Sequence, residues 1–139
     1  MENYDISLDQ TRLDLKAIHA FLSQTYWSPG VPFATIEKAV QNSICVGAYV
    51  GTAQVGFARM VTDKATFAYL ADVYVLQDHR GRGLSRRLVE ALLGHPDLQG
   101  LRRIILATRD AHSLYEKFGF RALAAPDRFM EKHHPNVYA

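Results

Sequence analysis

Apolar residues along this chain recur at two different spacings, and glycine and proline residues separate the segments. An apolar residue every three to four positions predicts an amphipathic helix, whereas an alternating or continuous apolar run predicts a strand. The predicted helices cover 11–24, a shorter segment that begins at Thr35, 84–93 and 111–117. The predicted strands cover 4–8, 44–50, 54–62, 66–76 and 103–108, with one or two more around 121–124 and 129–132. Asp9 is the predicted N-cap of the first helix.

The order of these elements predicts how the strands pair. Gly51 and Thr52 predict a tight hairpin between the second and third strands. The strand 66–76 is apolar on both faces, which predicts a place at the centre of the sheet. A helix separates it from 103–108, and a strand, helix and strand in this order predict a parallel pair with a right-handed crossover. The sequence therefore predicts an α/β fold with a mixed sheet and helices on both faces.

Length and composition narrow the class of protein. The 139 residues predict one domain, 1–139, with a single core. Apolar residues make up 48% and charged residues 22%, which indicates neither disorder nor a membrane protein. The first ten residues show no basic start followed by an apolar stretch, so we expect a cytoplasmic protein. The lone Cys45 is expected to be a small apolar strand residue and not a nucleophile.

The most informative segment joins the strand 66–76 to the helix 84–93. It contains an arginine and glycine turn over 80–85, in which two glycines permit positive φ and a close approach to a ligand. The first amides of the following helix lack intrahelical acceptors, so this turn predicts a binding site for a phosphate group. Nearby arginines at 82, 86 and 87 would add charge-assisted hydrogen bonds. The alternative is a plain strand-to-helix turn with solvated arginines.

Two motifs in the correct order resemble those of the GNAT superfamily of N-acetyltransferases. The turn matches the acyl-CoA-binding motif Gln/Arg-x-x-Gly-x-Gly/Ala, with Ser85 where the family usually has Gly or Ala. Downstream, the family signature Asn-x-x-Ala-x-x-Leu-Tyr followed by Gly-Phe is matched except that Thr108 replaces Asn. The matching residues are Ala111, Leu114, Tyr115, Gly119 and Phe120. The resemblance covers about 53–123 and implies a GNAT-like, mainly antiparallel mixed sheet with a splayed central parallel strand pair.

The resemblance also implies an acetyl-CoA-dependent enzyme that transfers acetyl directly to a primary amine without a metal. The main chain of the strand before the turn would pair with the pantetheine arm of acetyl-CoA, and the turn would bind its pyrophosphate. The implied cofactor-binding residues are Val73, Tyr74, Val75, Arg80, Gly81, Arg82, Gly83, Leu84, Ser85, Ala111 and Tyr115. Tyr115 would also act as the general acid that protonates the departing thiolate. A packing role for its ring is the alternative.

A carboxylate interrupts the apolar strand 66–76 at Asp72. Burial of an unpaired carboxylate is costly, which predicts one of two roles for it. Either Asp72 lines a cleft and orients an ammonium substrate or the water that takes its proton, or it pairs with backbone amides or Arg59. Tyr115 and Asp72 are thus the candidate catalytic residues.

The resemblance implies that the loop between the first two helices walls the acceptor site. Its aromatic residues would favour an apolar or cationic small molecule, while an aromatic lid over the core is the alternative. The candidate substrate-binding residues are Tyr26, Trp27, Phe33, Tyr69 and Asp72, with Pro29, Pro32 and Phe67 beside them. The expected partner is therefore an amine-bearing small molecule or a peptide, and a homodimer is compatible with this expectation.

Three other classes of function are alternatives to the enzyme. A non-catalytic acyl-CoA-binding regulatory or interaction module would keep the turn and lose the chemistry. A nucleotide-dependent phosphotransferase is disfavoured, because the turn lacks the Lys-Ser/Thr ending of a P-loop and no carboxylate pair for Mg²⁺ follows. A net charge of +2 is too small to indicate nucleic-acid binding, and no apolar run reaches the length of about 18 residues that a membrane span needs.

Overall fold

The structure is a computed structural model, and it describes residues 3–139. Five strands form one sheet: β1 (Asp5–Ser7), β2 (Ile44–Val50), β3 (Ala53–Thr62), β4 (Phe67–Val75) and β5 (Arg103–Leu106). The α-helices are α1 (Leu15–Leu22), α2 (Phe33–Gln41), α3 (Leu84–Leu93) and α4 (His112–Glu116). The strands lie in chain order, with antiparallel pairing from β1 to β4 and parallel pairing between β4 and β5. The predicted α/β fold with a mixed, mainly antiparallel sheet is confirmed.

Both faces of the sheet carry an apolar core, because neighbouring strand residues point to opposite faces. On one face α3 packs against β2 and β3. Its buried residues are Leu84, Leu88, Val89 and Leu92. The other core contains Cys45, Phe57 and Tyr74 together with buried residues of α1 and α2. Cys45 is 1% exposed and burial raises the pKa of its thiol to about 12, as expected of a core residue and not of a nucleophile.

The first helix begins later than the sequence predicts. Asp9 caps a short 3-10 helix, Gln10–Arg12, and Asp14 provides the N-cap of α1 by accepting a hydrogen bond from the amide of Ala17. The side chain of Gln54, which is buried in β3, accepts a hydrogen bond of 2.7 Å from the backbone amide of Asp14. This tertiary contact fixes the start of α1, and a local pattern cannot reveal it.

Two predictions about the sheet differ from the structure. The strand predicted at the centre, β4, lies one place from the edge, and β3 is the middle strand. No strand forms around 121–124 or 129–132 in the described chain, where the segment 121–139 holds a 3-10 helix, Pro126–Arg128, and mostly exposed side chains. β5 is consequently an edge strand. A short apolar run has the same pattern whether or not a neighbouring strand is available to pair with it.

Tyr49 offers a test of the core, because its hydroxyl is the one side-chain polar atom within 3–139 that is buried without a hydrogen-bond partner. The guanidinium of Arg12 lies 4.3 Å from the centre of its ring, and burial raises the pKa of the phenol. An unpaired buried hydroxyl costs about 1–3 kcal/mol. Tyr49→Phe should therefore raise the free energy of unfolding by about 1 kcal/mol in urea denaturation. Tyr138→Phe, at an exposed ring, is the control, and a less stable Tyr49 variant would contradict the expectation.

Candidate active site

β4 contains a β-bulge next to the site. Asp72 and Val73 together lie opposite the single residue Ala58 of β3. Asp72 adopts a positive φ of 56°, a left-handed conformation in which Asp is enriched several-fold over most other residues. A bulge of this kind bends the strand and increases its twist. The carboxylate that interrupts the apolar strand thus marks the point where β4 changes direction.

β4 and β5 separate beyond this bulge. They pair from Phe67 to Leu70, and the rest of β4, residues 71–75, pairs with β3 on one side and with no strand of the described residues on the other. The strand pair is therefore splayed, as the family resemblance implies. The backbone on the open side of 71–75 faces the position of a ladder partner, which an extended ligand can take. One of its carbonyls, that of Val75, accepts a hydrogen bond of 2.9 Å from Nε of Arg80.

The glycine turn has the backbone that the sequence predicts. Gly81 and Gly83 adopt positive φ of 77° and 75°. A Cβ atom at either residue would have nothing within 4 Å, so the space above the turn is open. Gly83 directly precedes α3, whose ten residues carry their first amides and the positive end of the helix dipole towards the turn. This geometry suits a phosphate group.

Two adjoining cavities connect the open side of β4 with the glycine turn. The first has a volume of about 430 Å³ and lies between the end of α1, the loop 23–32 and β4. The second has a volume of about 370 Å³ and lies between the turn and α4. Val75, Arg80 and Ser85 line both cavities. The two cavities therefore adjoin along these residues and are together called the groove, and each lies within the usual range for ligand sites, about 300–1,000 Å³.

Most of the predicted cofactor-binding residues line this groove. They are Val73, Tyr74, Val75, Arg80, Gly81, Gly83, Leu84 and Ser85. Arg82 lies outside the lining, where its guanidinium donates a hydrogen bond to the hydroxyl of Tyr4. Ala111 also lies outside it, at the N-cap position of α4, and its amide donates to the hydroxyl of Thr108 at 3.1 Å.

The structure adds lining residues that the sequence analysis missed. Phe21, Gln24 and Thr25, at and just after the end of α1, line the first cavity, and His79, Leu114 and Lys117 line the second. Arg86, one of the three arginines expected near the turn, also lines the second cavity. Helical spacing in the sequence gave a partial indication of which of these residues lie together. The predicted helices 11–24 and 111–117 place Phe21 with Gln24, and Leu114 with Lys117, on one face each, because the members of each pair are three positions apart. In the structure Gln24 and Lys117 lie just beyond the ends of α1 and α4. Which face meets the groove depends on packing between distant elements.

Tyr115 is largely buried beside the groove. It belongs to the short helix α4, its side chain is 8% exposed, and its ring packs edge-on against Phe120 with the ring centres 6.1 Å apart. The hydroxyl makes no hydrogen bond within residues 3–139, and its oxygen is not among the atoms sealed from solvent. Burial raises the pKa of Tyr115, so the phenol stays protonated across the neutral range and keeps a proton to donate.

Two donors hold the carboxylate of Asp72. Nε of Arg59 lies 2.6 Å from Oδ2, and the indole Nε1 of Trp27 lies 2.8 Å from Oδ1. The side chains of Arg59 and Asp72 are 18% and 9% exposed, so water screens this ion pair weakly. The pair with Arg59 is the structural alternative that the sequence analysis left open. The bond to Trp27 adds a second function, because it fastens the loop 23–32 to the bulge of β4.

The aromatic loop forms part of the wall of the first cavity. Tyr26 and Trp27 are 58% and 45% exposed, and their rings meet edge to face at 5.0 Å. The guanidinium of Arg109, which follows β5, lies 4.0 Å from the centre of the Tyr26 ring. Of the other predicted acceptor residues, Phe33 packs against the ring of His19 and Tyr69 lies on the exposed face of β4, and neither lines the groove.

The Asp72→Asn variant should show whether loss of this carboxylate affects the stability of the fold, the binding of a substrate, or both. The exchange leaves the guanidinium of Arg59 without its charge partner, so we expect unfolding free energy to fall by about 3 kcal/mol. It also weakens the attachment of Trp27, and in an acetyltransferase of the kind that the sequence resembles this would raise the KM for the acceptor while the affinity for acetyl-CoA changes little. Trp27→Phe is the matched control, since it removes the indole donor and keeps the ion pair. Parental acceptor KM in both variants would show that the contact is structural alone.

Neither a metal site nor a membrane-spanning helix is found between residues 3 and 139. No three His, Cys, Asp or Glu side chains of that range are grouped so that they could hold a metal ion. None of its helices is both long and apolar enough to cross a membrane.

Comparisons with known proteins agree on one family. The sequence model of the acetyltransferase (GNAT) domain matches residues 41–122. A Gibberella zeae protein assigned to the acetyltransferases is 37% identical, and the match covers 83% of this chain and 77% of that protein. The crystal structure of a protein assigned to the GNAT acetyltransferases of Xanthomonas campestris pv. campestris is 48% identical, with a TM-score of 0.96 over 100% of this chain and 99% of the other.

A more distant structure shares the fold. It is a Clostridium acetobutylicum protein, assigned to the acetyltransferases and crystallised with acetyl-CoA, which is 16% identical and has a TM-score of 0.70 over 96% of each chain. The family model carries the assignment, because it matches more than half of this chain, and so do the two closer relatives, which match most of the chain at 37% and 48% identity. This chain belongs to the GNAT family of acetyltransferases.

Proposed function

We propose that this chain transfers the acetyl group of acetyl-CoA directly to a primary amine on a small molecule or a peptide, and that 1–139 form one acetyltransferase domain. The observation that carries the proposal is the groove, whose two adjoining cavities lie along an unpaired strand edge and an open glycine turn at the start of α3. Family membership supports acetyl transfer in general. The cytoplasmic location stays a prediction of the sequence.

In this proposal the main chain of 73–75 binds the extended pantetheine arm, and the turn 80–85 binds the pyrophosphate. The strand edge suits the first task, because a pantetheine arm carries amide groups that can pair like those of an added strand. The turn suits the second, because helix amides and positive charge favour an anion. Arg86 and Lys117 line the same cavity and add cations around the phosphates.

The chemistry requires two proton movements. The amine nitrogen attacks the acetyl carbonyl and loses a proton to water, the carbon–sulfur bond breaks, and the sulfur takes up a proton to leave as the thiol. We assign the second proton to Tyr115, whose hydroxyl is protonated, has no partner within the described chain and retains contact with solvent. Phe120 fixes the ring through its edge-on contact.

We assign Asp72 to positioning of the acceptor wall. Both of its oxygens already accept hydrogen bonds, from Arg59 and Trp27, so it is poorly placed to take a proton from the amine. Its contribution is to hold Trp27, and with it Tyr26, against the first cavity. An amine substrate with an apolar portion would pack against these two rings.

One observation favours a second candidate function, a CoA-binding module without catalysis. Tyr115 is not among the residues that line the groove, although its neighbour Leu114 is. A module of this kind would bind acetyl-CoA through the turn and release no thiol.

One experiment separates the two functions. The purified chain is titrated with acetyl-CoA in a calorimeter, and then incubated with acetyl-CoA and a panel of primary amines while free thiol is followed. The enzyme binds acetyl-CoA and releases thiol only when an amine is present, and the acetylated amine is detected by mass. Binding without thiol release for any amine favours the module. Absence of binding would contradict both.

A further inference from the structure

Arg109 holds a positive charge beside the aromatic wall of the first cavity. It is an exposed residue of the segment that joins β5 to α4. Its guanidinium carbon lies 4.0 Å from the centre of the Tyr26 ring, and Tyr26 lines that cavity whereas Arg109 does not. The contact therefore places a guanidinium at the rim of the groove, on the side proposed for the acceptor.

The hydrogen-bond donors of this guanidinium have no protein acceptor. Between residues 3 and 139 the side chain of Arg109 contacts the ring of Tyr26 and forms no hydrogen bond or ion pair. The adjacent Asp110 forms no ion pair within that range either, so its carboxylate does not occupy these donors. Contact with a ring face engages the charge and leaves N–H groups available, and their planar arrangement matches the oxygens of a carboxylate or a phosphate.

The other charges near this wall are already accounted for. Asp72 is paired with Arg59 at 2.6 Å. Arg80 lines both cavities, at the junction next to the turn proposed for the pyrophosphate. Among the described residues no carboxylate lines the first cavity, so a second cation on the acceptor would find no counterion there. Arg109 is thus the cation beside the acceptor wall that still lacks a partner of opposite charge.

We propose that the acceptor is an amine that also carries an anionic group, a carboxylate or a phosphate ester, and that Arg109 binds this group at the rim of the groove. The carbon chain of the acceptor then packs against Tyr26 and Trp27, and its amine reaches towards the acetyl group. A guanidinium binds such anions through two parallel charge-assisted hydrogen bonds, and it repels a second cation. This class of acceptor rests on the proposed function and makes it more specific.

Matched acceptors provide the first test. Steady-state thiol release is measured with ω-amino acids of graded chain length, with their uncharged amides, with aminoalkyl phosphates and the corresponding amino alcohols, and with diamines. At the best chain length, kcat/KM should be about 10- to 100-fold higher for the anionic acceptor than for its uncharged analogue, and lowest for the diamine. Whether the acids or the phosphates react faster identifies the anion. Equal kcat/KM for charged and uncharged acceptors at every length would overturn the proposal.

Variants of Arg109 provide the second test. Arg109→Gln removes the charge, so the preference for the anionic acceptor should disappear while kcat/KM for uncharged acceptors stays near the parental value. Arg109→Lys keeps the charge without the planar fork and should retain part of the preference. Arg102→Gln is the matched control, because it changes an exposed arginine just before β5 that does not line the groove. An equal loss for charged and uncharged acceptors, or a loss of acetyl-CoA affinity alone, would contradict anion binding by Arg109.

A binding measurement distinguishes failure of this inference from failure of the proposed function. The chain is saturated with CoA, which has no acetyl group to transfer, and is titrated with the same acceptors in a calorimeter. Tighter binding of the anionic amine by the parent than by Arg109→Gln confirms the inference even where no thiol is released from acetyl-CoA. Thiol release without preference for an anion overturns the inference and leaves the proposed function intact. Neither binding nor thiol release with any anionic amine would also overturn the inference.

Discussion

Gly83→Val should weaken the binding of acetyl-CoA by about 100-fold, or about 2.7 kcal/mol. Gly83 adopts φ of 75°, where a β-branched residue is strained, and the strain would turn the first amides of α3 away from the bound phosphates. The new side chain would also enter the space above the turn, which holds no protein atom within 4 Å of the Cβ position. Isothermal titration calorimetry measures the loss.

Gly100→Val is the matched control for this variant. Gly100 has nearly the same φ, 72°, and equally open space at its Cβ position, but it lies in the loop before β5 and does not line the groove. Both variants should lose similar thermal stability from backbone strain, and only the Gly83 variant should lose affinity. Parental affinity in a folded Gly83→Val protein would refute the phosphate site at the turn.

Tyr115→Phe should lower kcat by about 100-fold with a good amine acceptor. The exchange removes one hydroxyl and keeps the ring that packs against Phe120, so stability and acetyl-CoA affinity should stay near the parental values. The lost interaction exists mainly while negative charge develops on sulfur, which is why kcat falls and KM changes by a small factor. Steady-state thiol release measures both constants.

The pH dependence adds a second readout for Tyr115. Burial raises its pKa above the ordinary phenol value of about 10, so the donating form is lost only at still higher pH. Any decline in the parental rate that belongs to this group should therefore lie above about pH 10, and Tyr115→Phe should abolish it. Tyr49→Phe, which removes a phenol hydroxyl that is buried outside the groove, should turn over at the parental rate. A parental kcat in the Tyr115→Phe variant would show that Tyr115 has only a packing role.

The elements that could be predicted best from the sequence are those whose ends are determined by residues close by in the sequence. The predicted bounds of α3 agree with the structure, because Gly83 precedes the helix with positive φ and Gly94 follows it, while the apolar spacing defines its buried face. The hairpin between β2 and β3 is equally local, since Gly51 with φ of 58° permits the tight turn. The glycine turn could likewise be predicted as an open backbone loop, because it depends on two residues without Cβ atoms.

The features that could not be predicted from the sequence depend on contacts between residues that are far apart in the sequence. The sequence offered Arg59 as one partner of Asp72, but the bond from Trp27 joins residues 45 positions apart and follows only from the folded loop. The bulge of β4 is similar, since a pattern of apolar residues does not show that two positions share one partner across the sheet. The strands predicted after residue 120 do not form for the same reason, because a strand requires a neighbouring strand to pair with as well as an apolar pattern.

The bond between Trp27 and Asp72 joins the parts of the groove assigned to the two substrates. The bulge at Asp72 opens the strand edge proposed for acetyl-CoA, and the same carboxylate anchors the aromatic wall proposed for the amine. A change in this contact on binding of one substrate would thus be transmitted to the site proposed for the other. Thermodynamic reciprocity then requires acetyl-CoA and the amine to alter each other's affinity by the same factor, whichever of them binds first, and Trp27→Phe should reduce this coupling.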